Sequence, residues 1–430
     1  MLTKQTRMTI AASAMLAGVS FPVAAQLQAA AGKVDITPER PCWIAGYGSN
    51  RRSAGVHDPL WARCLVLKNG AETVALVSCD LIGVARSHIV KIRPLIRKVP
   101  AERVLIGATH THSGPDTYGQ WGPNAATSGV DKVWMQQVHR RIAALVDETA
   151  GRLQPAVVKF ASTKDITRCS MNARVEKILD TELSAAQFMK PDGSTIATLI
   201  NYACHPEVLN NRQITSDFPH WLRQKVEGAL GGTAIYMNGA QGGMITAVIE
   251  NESSFPKGEA WSEAERIGNT LGEKSLEILA KAKPEADPRL TFSQRIFRVP
   301  LENEGFKALM KIGVLEGIGL ENGNVVTEVS RFTVGSAEFI TLPGEVLPNI
   351  GLYLKRHMSG KTKFQLGLTG DALGYILCRE DFGLPLYRYE TSVSVGSEMG
   401  ERMSRNLMEM IRAGRLGPKV SGLVQKSGRP

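Results

Sequence analysis

The stretch RVLIGATHTHSGPD, residues 103–116, decides how the chain is read. Its first half, RVLIG, is a run of aliphatic and β-branched residues with the length of a buried strand. SGP then stops the strand and opens a loop. Two of the chain's eight histidines, His110 and His112, therefore fall where a strand ends. Ligands of α/β proteins collect at such ends. Read as part of a strand, HTH places i and i+2 on one face, so both imidazoles reach one cavity. That spacing suits a metal, whose short bonds need rings aimed in advance. It also suits a pair of ordinary hydrogen-bonded histidines.

Working outward, the pattern repeats. Strand-like runs at ETVALVSCDL (72–81), AVVKFAS (156–162), IATLINYACHP (196–206), TAIYMNGAQGG (233–243), LTFSQRIFRVPL (290–301) and RFTVGSAEFITLPGE (331–345) alternate with helix-like stretches. Those stretches, 88–99, 133–153, 218–230, 261–283, 345–358 and 397–414, repeat apolar residues every three or four positions. Pro94 and Pro348 predict a kink or a late helix start. Alternation of this kind predicts an α/β fold: a layered, mixed β-sheet core flanked by helices, in one large domain over 30–414. Residues 415–430, basic and rich in Gly, are expected to form a loose tail.

Several of these runs end in chemically capable residues: Asp80, His110, His112, His205, Asn238 and Glu345. Converging strand ends gather remote side chains into one rigid site. His205 is followed by Pro206, which fixes the backbone past it. Glu345 follows a Pro-Gly turn and also reads as a helix N-terminal carboxylate. Tyr375 and Tyr389 stand at apolar edges, where tyrosine packs and makes one hydrogen bond. Arg174 suits either an anionic substrate group or an ion pair. In GAQGGMIT (239–246), Gly242 and Gly243 offer amides to a developing oxyanion, or simply make a tight turn.

The first 25 residues have the layout of a cleaved secretory leader: Lys4 and Arg7, an apolar stretch from Met8 to Phe21, then Val23-Ala24-Ala25. That predicts a periplasmic or secreted protein. No later run of about 18 apolar residues offers a transmembrane anchor. The formal charge of +10 is scattered, and no nucleic-acid-binding motif is present, so a nucleic-acid partner is not expected. Six cysteines without a CxxC give neither a zinc ribbon nor a thioredoxin-type site. Cys64 and Cys79 lie in apolar strands and are expected to be free and buried.

The order of these motifs resembles the catalytic domain of the neutral, non-lysosomal ceramidases, a zinc amidase family. The likeness runs through GYGSNRRSAGVHDPLWARCLVL, VALVSCDLIGV, ATHTHSGP, SMNAR, NYACHP, ITSDFPHW, LPGEV, GYILC and RYET, in the family's order. The resemblance implies one Zn²⁺ per chain, held by His110, His205, Glu345 and Tyr375. It implies that His112 stands beside the metal and handles the water or substrate, and that Arg174 and Tyr389 face substrate oxygens. Asn238, Gly242 and Gly243 are then candidate substrate-binding groups, and Asp80 or Asp217 would orient a ligand histidine. The chain departs from the family at QGGMIT (241–246): the family's aspartate is a glycine here, its serine appears as Ile245, and Thr246 is adjacent. The family's C-terminal β-sandwich is also expected to be missing.

The implied activity is hydrolysis of an amide or ester of an N-acylated substrate by zinc-activated water. Two other readings stay open on sequence grounds. One is a zinc-dependent lyase or esterase acting on a uronate-bearing glycan. The other is a non-catalytic binding protein on the same fold, so the partner is a small molecule, a lipid or a glycan.

Overall fold

A computed structural model describes residues 26–416, apart from 167, 251, 286 and 287. The expected leader (1–25) and residues 417–430 of the expected tail lie outside the described residues. The last helix, Met399–Leu416, runs into the start of that tail.

Alternation along WARCLVLKN shows how the core is built. Cys64 and Val66, with Val77 and Ile106 of neighbouring strands, face the helices Arg86–Ile92 and Lys132–Ala150. Leu65 and Leu67, with Leu76 and Leu105, face the opposite way, onto Phe188, Leu199, Ile235, Phe332, Phe339 and Phe364. A sheet covered on both faces needs apolar residues at nearly every position, which is why these strands read as continuous runs.

Three sheets share this core. The first has the order Val104–Ala108, Glu72–Cys79, Trp61–Asn69, Gln28–Asp35, Gln154–Pro155. The second has Thr233–Asn238, Thr195–Tyr202, Leu183–Met189, Val157–Thr163. The third has Leu290–Pro300, Asn324–Val334, Ala337–Thr341, Thr362–Leu366. Each contains one parallel pair at its edge, and its other long strands run antiparallel. The outer faces of the second and third sheets are covered by the helices Pro219–Leu230 and Trp261–Lys281, and Pro348–His357 and Met399–Leu416. The mixed, layered α/β architecture is the one expected.

Two local expectations are corrected. The run 331–345 is not one strand: the chain reverses at Gly335, whose φ of 54° suits glycine, between Asn324–Val334 and Ala337–Thr341. The stretch 88–99 is helical only to Ile92, where Pro94 turns it into a short 3₁₀ segment, Arg93–Leu95. All six cysteines are free thiols, and Cys64 and Cys79 are buried.

The three parallel pairs end side by side. Asn238 binds them together: its Nδ2 donates to Thr109 O (3.1 Å) and Cys204 O (2.9 Å), its Oδ1 accepts from Cys204 N (3.1 Å), and its carbonyl accepts from Gly367 N (2.8 Å). One buried amide thus ties the segment before His110, the segment before His205 and the end of the third sheet.

Candidate functional site

His110 does not leave a strand face. Its strand stops at Ala108, Thr109 N donates to Cys79 O, and His110 itself adopts φ 73°. A non-glycine residue in the left-handed region is strained, and such strain clusters at functional sites. The i, i+2 argument for HTH therefore fails. The imidazoles of His110 and His112 still converge, with ring centroids 4.9 Å apart, because the turn at His110 redirects the chain.

His205 arrives from the second sheet, and its ring centroid lies 4.9 Å from that of His110 and 5.7 Å from that of His112. One ring nitrogen from each of the three lies within 4.8 Å of the others, and all three residues are buried. Glu345 arrives from the third sheet. The Pro343-Gly344 turn lets Glu345 N donate to Gly374 O at 2.8 Å, and Glu345–Val346 pairs in parallel with Tyr375–Ile376. Its carboxylate points to the histidines: Oε2 is 3.0 Å from His205 Nε2 and 3.4 Å from His110 Nε2.

The other faces of these rings settle what the contact means. His110 Nδ1 lies 2.6 Å from Ile82 O, and His205 Nδ1 lies 2.9 Å from Ile245 O. A carbonyl only accepts, so both Nδ1 atoms carry the hydrogen. In the neutral rings both Nε2 atoms then present lone pairs to an oxygen that also only accepts. That arrangement needs positive charge between the three, either protons on the rings or a cation. Electrostatics agree: burial pulls His205 down, but the Glu207 and Glu345 carboxylates outweigh it and raise its pKa to about 9. Burial raises Glu345, and the facing His110 and His205 more than offset that, holding it well below the usual carboxylate range.

His112 is different. Both ring nitrogens are buried without a hydrogen-bond partner. Glu207 Oε2 lies 3.4 Å from Nδ1, but out of hydrogen-bond alignment. Burial, then the neighbouring His110 and His205, push its pKa well below the ordinary histidine value, so it stays neutral. Gly46, at φ 101°, packs so tightly on this ring that a Cβ there would lie 2.4 Å from His112 Cγ.

These groups open onto a cavity of about 280 Å³. His110, His112, Glu345, Tyr375 and Tyr389 line one part of it, and Ile82, Trp121, Phe306, Leu315, Ile318, Leu373 and Val393 give it a largely apolar wall. Tyr375 is buried beside Glu345, with its hydroxyl turned to Met244 Sδ at 3.6 Å. Burial and the Glu345 charge push that hydroxyl well above the usual tyrosine value. Tyr389 is half-exposed at the cavity, its ring edge-on to Tyr375 at 5.7 Å.

Other expected site residues are engaged elsewhere. Asp80 contacts no histidine: it holds Arg223 through two bonds of 2.8 and 2.9 Å and accepts from Trp61 N. Asp217 accepts from Leu209 N and Phe218 N, which shapes the turn into the helix Pro219–Leu230. Backbone carbonyls orient the histidines instead. Asn238 is the buried tie described above, not a group facing the cavity. Gly242 N donates to Val346 O, so it has no amide left for an oxyanion, and a Cβ there would meet Glu345 O at 2.1 Å. Gly243 supplies a turn at φ 68° and packs on Leu347. Neither glycine lines the cavity. Arg174 Nε donates to the buried Glu390 at 2.7 Å, and so braces the short helix Arg388–Ser392 that carries Tyr389. Thr246 lies in a strand, Ile245–Ala247, paired with Ser170–Asn172.

Three residues at the site gave no usable sequence signal of their own. Tyr47 and Tyr118 line the cavity, and Glu207 backs His112. Only the position of Glu207, two residues after His205, could have pointed to it.

Residues 28–218 match the family model described as neutral/alkaline non-lysosomal ceramidase, N-terminal. A neutral ceramidase of Pseudomonas aeruginosa is 24% identical over 306 residues, covering 64% of this chain and 45% of that protein. A neutral ceramidase of Mycobacterium tuberculosis is 30% identical over 142 residues, covering 30% of this chain and 22% of that protein. The chain thus spans less than half the length of either curated relative. Its fold is similar to the crystal structure of neutral ceramidase from Pseudomonas aeruginosa, with a TM-score of 0.77 at 18% identity, covering 91% of this chain and 75% of that one. A ceramidase complexed with C2 gives a TM-score of 0.76, also at 18% identity, with 91% and 76% covered. The chain is thus similar to the neutral/alkaline non-lysosomal ceramidases over residues 28–218, and it shares their fold.

Proposed function

We propose that this site hydrolyses the amide bond of an N-acylated, ceramide-like substrate with the help of one Zn²⁺. The carrying observation is the pair of imidazoles whose Nδ1–H groups are spent on backbone carbonyls while both Nε2 atoms face Glu345 Oε2. The donors fit the ion: two neutral imidazole nitrogens and a carboxylate are a catalytic zinc set. Their spacing of 3.0 and 3.4 Å is that of neighbours around one small cation with bonds of about 2 Å. His110, His205 and Glu345 would hold it, with Tyr375 adjacent. A divalent cation there supplies a Lewis acid that polarises a carbonyl and acidifies water.

The chain's own groups supply the rest. His112, neutral and with free ring nitrogens, accepts a proton from the attacking water and delivers it to the departing nitrogen, as a C–O bond forms and the C–N bond breaks. The Tyr389 hydroxyl donates to the developing oxyanion. Water is the nucleophile. The apolar wall takes an acyl chain, which favours an N-acyl lipid over a uronate-bearing glycan. The leader-like N-terminus supports an exported enzyme, and among the described residues no helix is long and apolar enough to cross a membrane.

The test is metal analysis of the purified protein, followed by a side-by-side screen on N-acyl lipids, N-acyl amino acids and acidic glycans. Near-stoichiometric zinc with chelator-sensitive release of fatty acid is expected. Substoichiometric metal, chelator-insensitive activity or an unsaturated uronate product would overturn the reading.

A further inference from the structure

We infer that Glu207 is the positioning residue that sets the tautomer and ring orientation of His112; this rests on the reading of His112 as the proton-handling group. Three observations place it there. His112 N donates to Pro206 O at 3.0 Å, and Tyr47 Oη donates to Glu207 O at 2.6 Å, so the backbone of Glu207 is fixed beside the ring. The ring packs on Gly46 at Cγ, edge-on to the Tyr47 ring at 5.1 Å and against the His110 and His205 rings, while Glu207 Oε2 lies 3.4 Å from Nδ1. Finally, Glu207 Oε1 and both His112 nitrogens are buried with no hydrogen-bond partner. Buried polar groups are rarely left so, and catalytic hydrogen bonds are often long in the empty site and tighten on binding.

A carboxylate takes the proton-bearing nitrogen of an imidazole. If Nδ1–H turns to Glu207, Nε2 keeps its lone pair for the water proton. At Nδ1 the neighbouring pair, His110 and His205, is held by backbone carbonyls, which orient without charge, whereas Nδ1 of His112 faces a carboxylate.

The variants are Glu207→Ala and Glu207→Gln, read by ring nitrogen NMR of His112, by kcat and KM separately, and by metal content and Tm. Glu207→Ala is expected to lower kcat 10–100-fold, roughly the scale of losing such an outer partner. KM should stay within about twofold, metal should be retained, and the His112 Nδ1–H signal, identified by its loss in His112→Asn, should disappear. Glu207→Gln should recover part of both. Wild-type kcat, or an unchanged His112 tautomer in Glu207→Ala, would overturn the inference. So would loss of metal, or a KM effect alone. If no substrate is hydrolysed, the NMR reading still decides the positioning role, so the two readings fail separately.

Discussion

The Nε2 of His205 and the Oε2 of Glu345 lie 3.0 Å apart although 140 positions separate them in the chain. With the ring's proton on Nδ1 and Glu345 held ionised by the facing histidines, no hydrogen bond between a neutral ring and this carboxylate explains the contact. The pair is therefore the most sensitive place to test the site.

Glu345→Gln is expected to abolish zinc retention and lower activity by at least 100-fold. It should also remove the Tm increase that zinc gives the wild-type protein. A ligand that binds only the folded state at 100 times its Kd adds about 2.7 kcal/mol. Calorimetry of metal-free and zinc-loaded protein, with metal analysis, reads all three.

Asp80→Asn separates support of the fold from support of the site. Its bidentate partner Arg223 is almost fully buried, and breaking such a pair costs about 3–5 kcal/mol. A drop of several degrees in Tm is expected, with zinc content per folded molecule unchanged. Loss of zinc at wild-type stability would mean that Asp80 does orient a ligand.

Tyr389→Phe should lower kcat by about 10²-fold while leaving Tm within a degree or two, since the residue lines the cavity and is half-exposed. Arg174→Ala should lower both, because it acts through the buried Glu390. Steady-state kinetics beside thermal melts distinguish the two.

A pH effect is expected from a histidine pair that does not line the cavity. His88 Nδ1 and His139 Nε2 lie 3.0 Å apart between the helices Arg86–Ile92 and Lys132–Ala150. Burial, then Lys91, push His88 down to about 4; burial, then His88, do the same to His139. An unfolded imidazole takes its proton near 6.5, so the unfolded chain binds protons first as pH falls. The contribution of this pair is full above about pH 6.5 and is lost progressively toward pH 4, by up to about 1.4 kcal/mol per unit for each ring. His139→Gln should flatten the Tm-versus-pH curve across that window.

Much of this architecture is legible in the residues. The continuous apolar runs gave the doubly covered sheets, and polar residues at their ends gave His110, His205 and Glu345. What was hidden depended on partners across space. Periodicity cannot say that Arg223 lies opposite Asp80, or that Asn238 faces two other strand ends and not a cavity. Nor does any local rule place a histidine in left-handed backbone; His110 reads as a strand residue because β-branched Thr109 and Thr111 flank it. Gly335 was visible as a glycine, but only the pairing of Phe332 with Phe339 shows that the chain reverses there.

Because each sheet contributes one arm of the site, and Asn238 fastens the arms, the binding geometry comes into being only when all three sheets have docked. Nascent or half-assembled chain has no grip on an ion. On the proposed function, metal uptake would thus be the closing event of maturation, and a captured ion would latch the finished molecule against reopening.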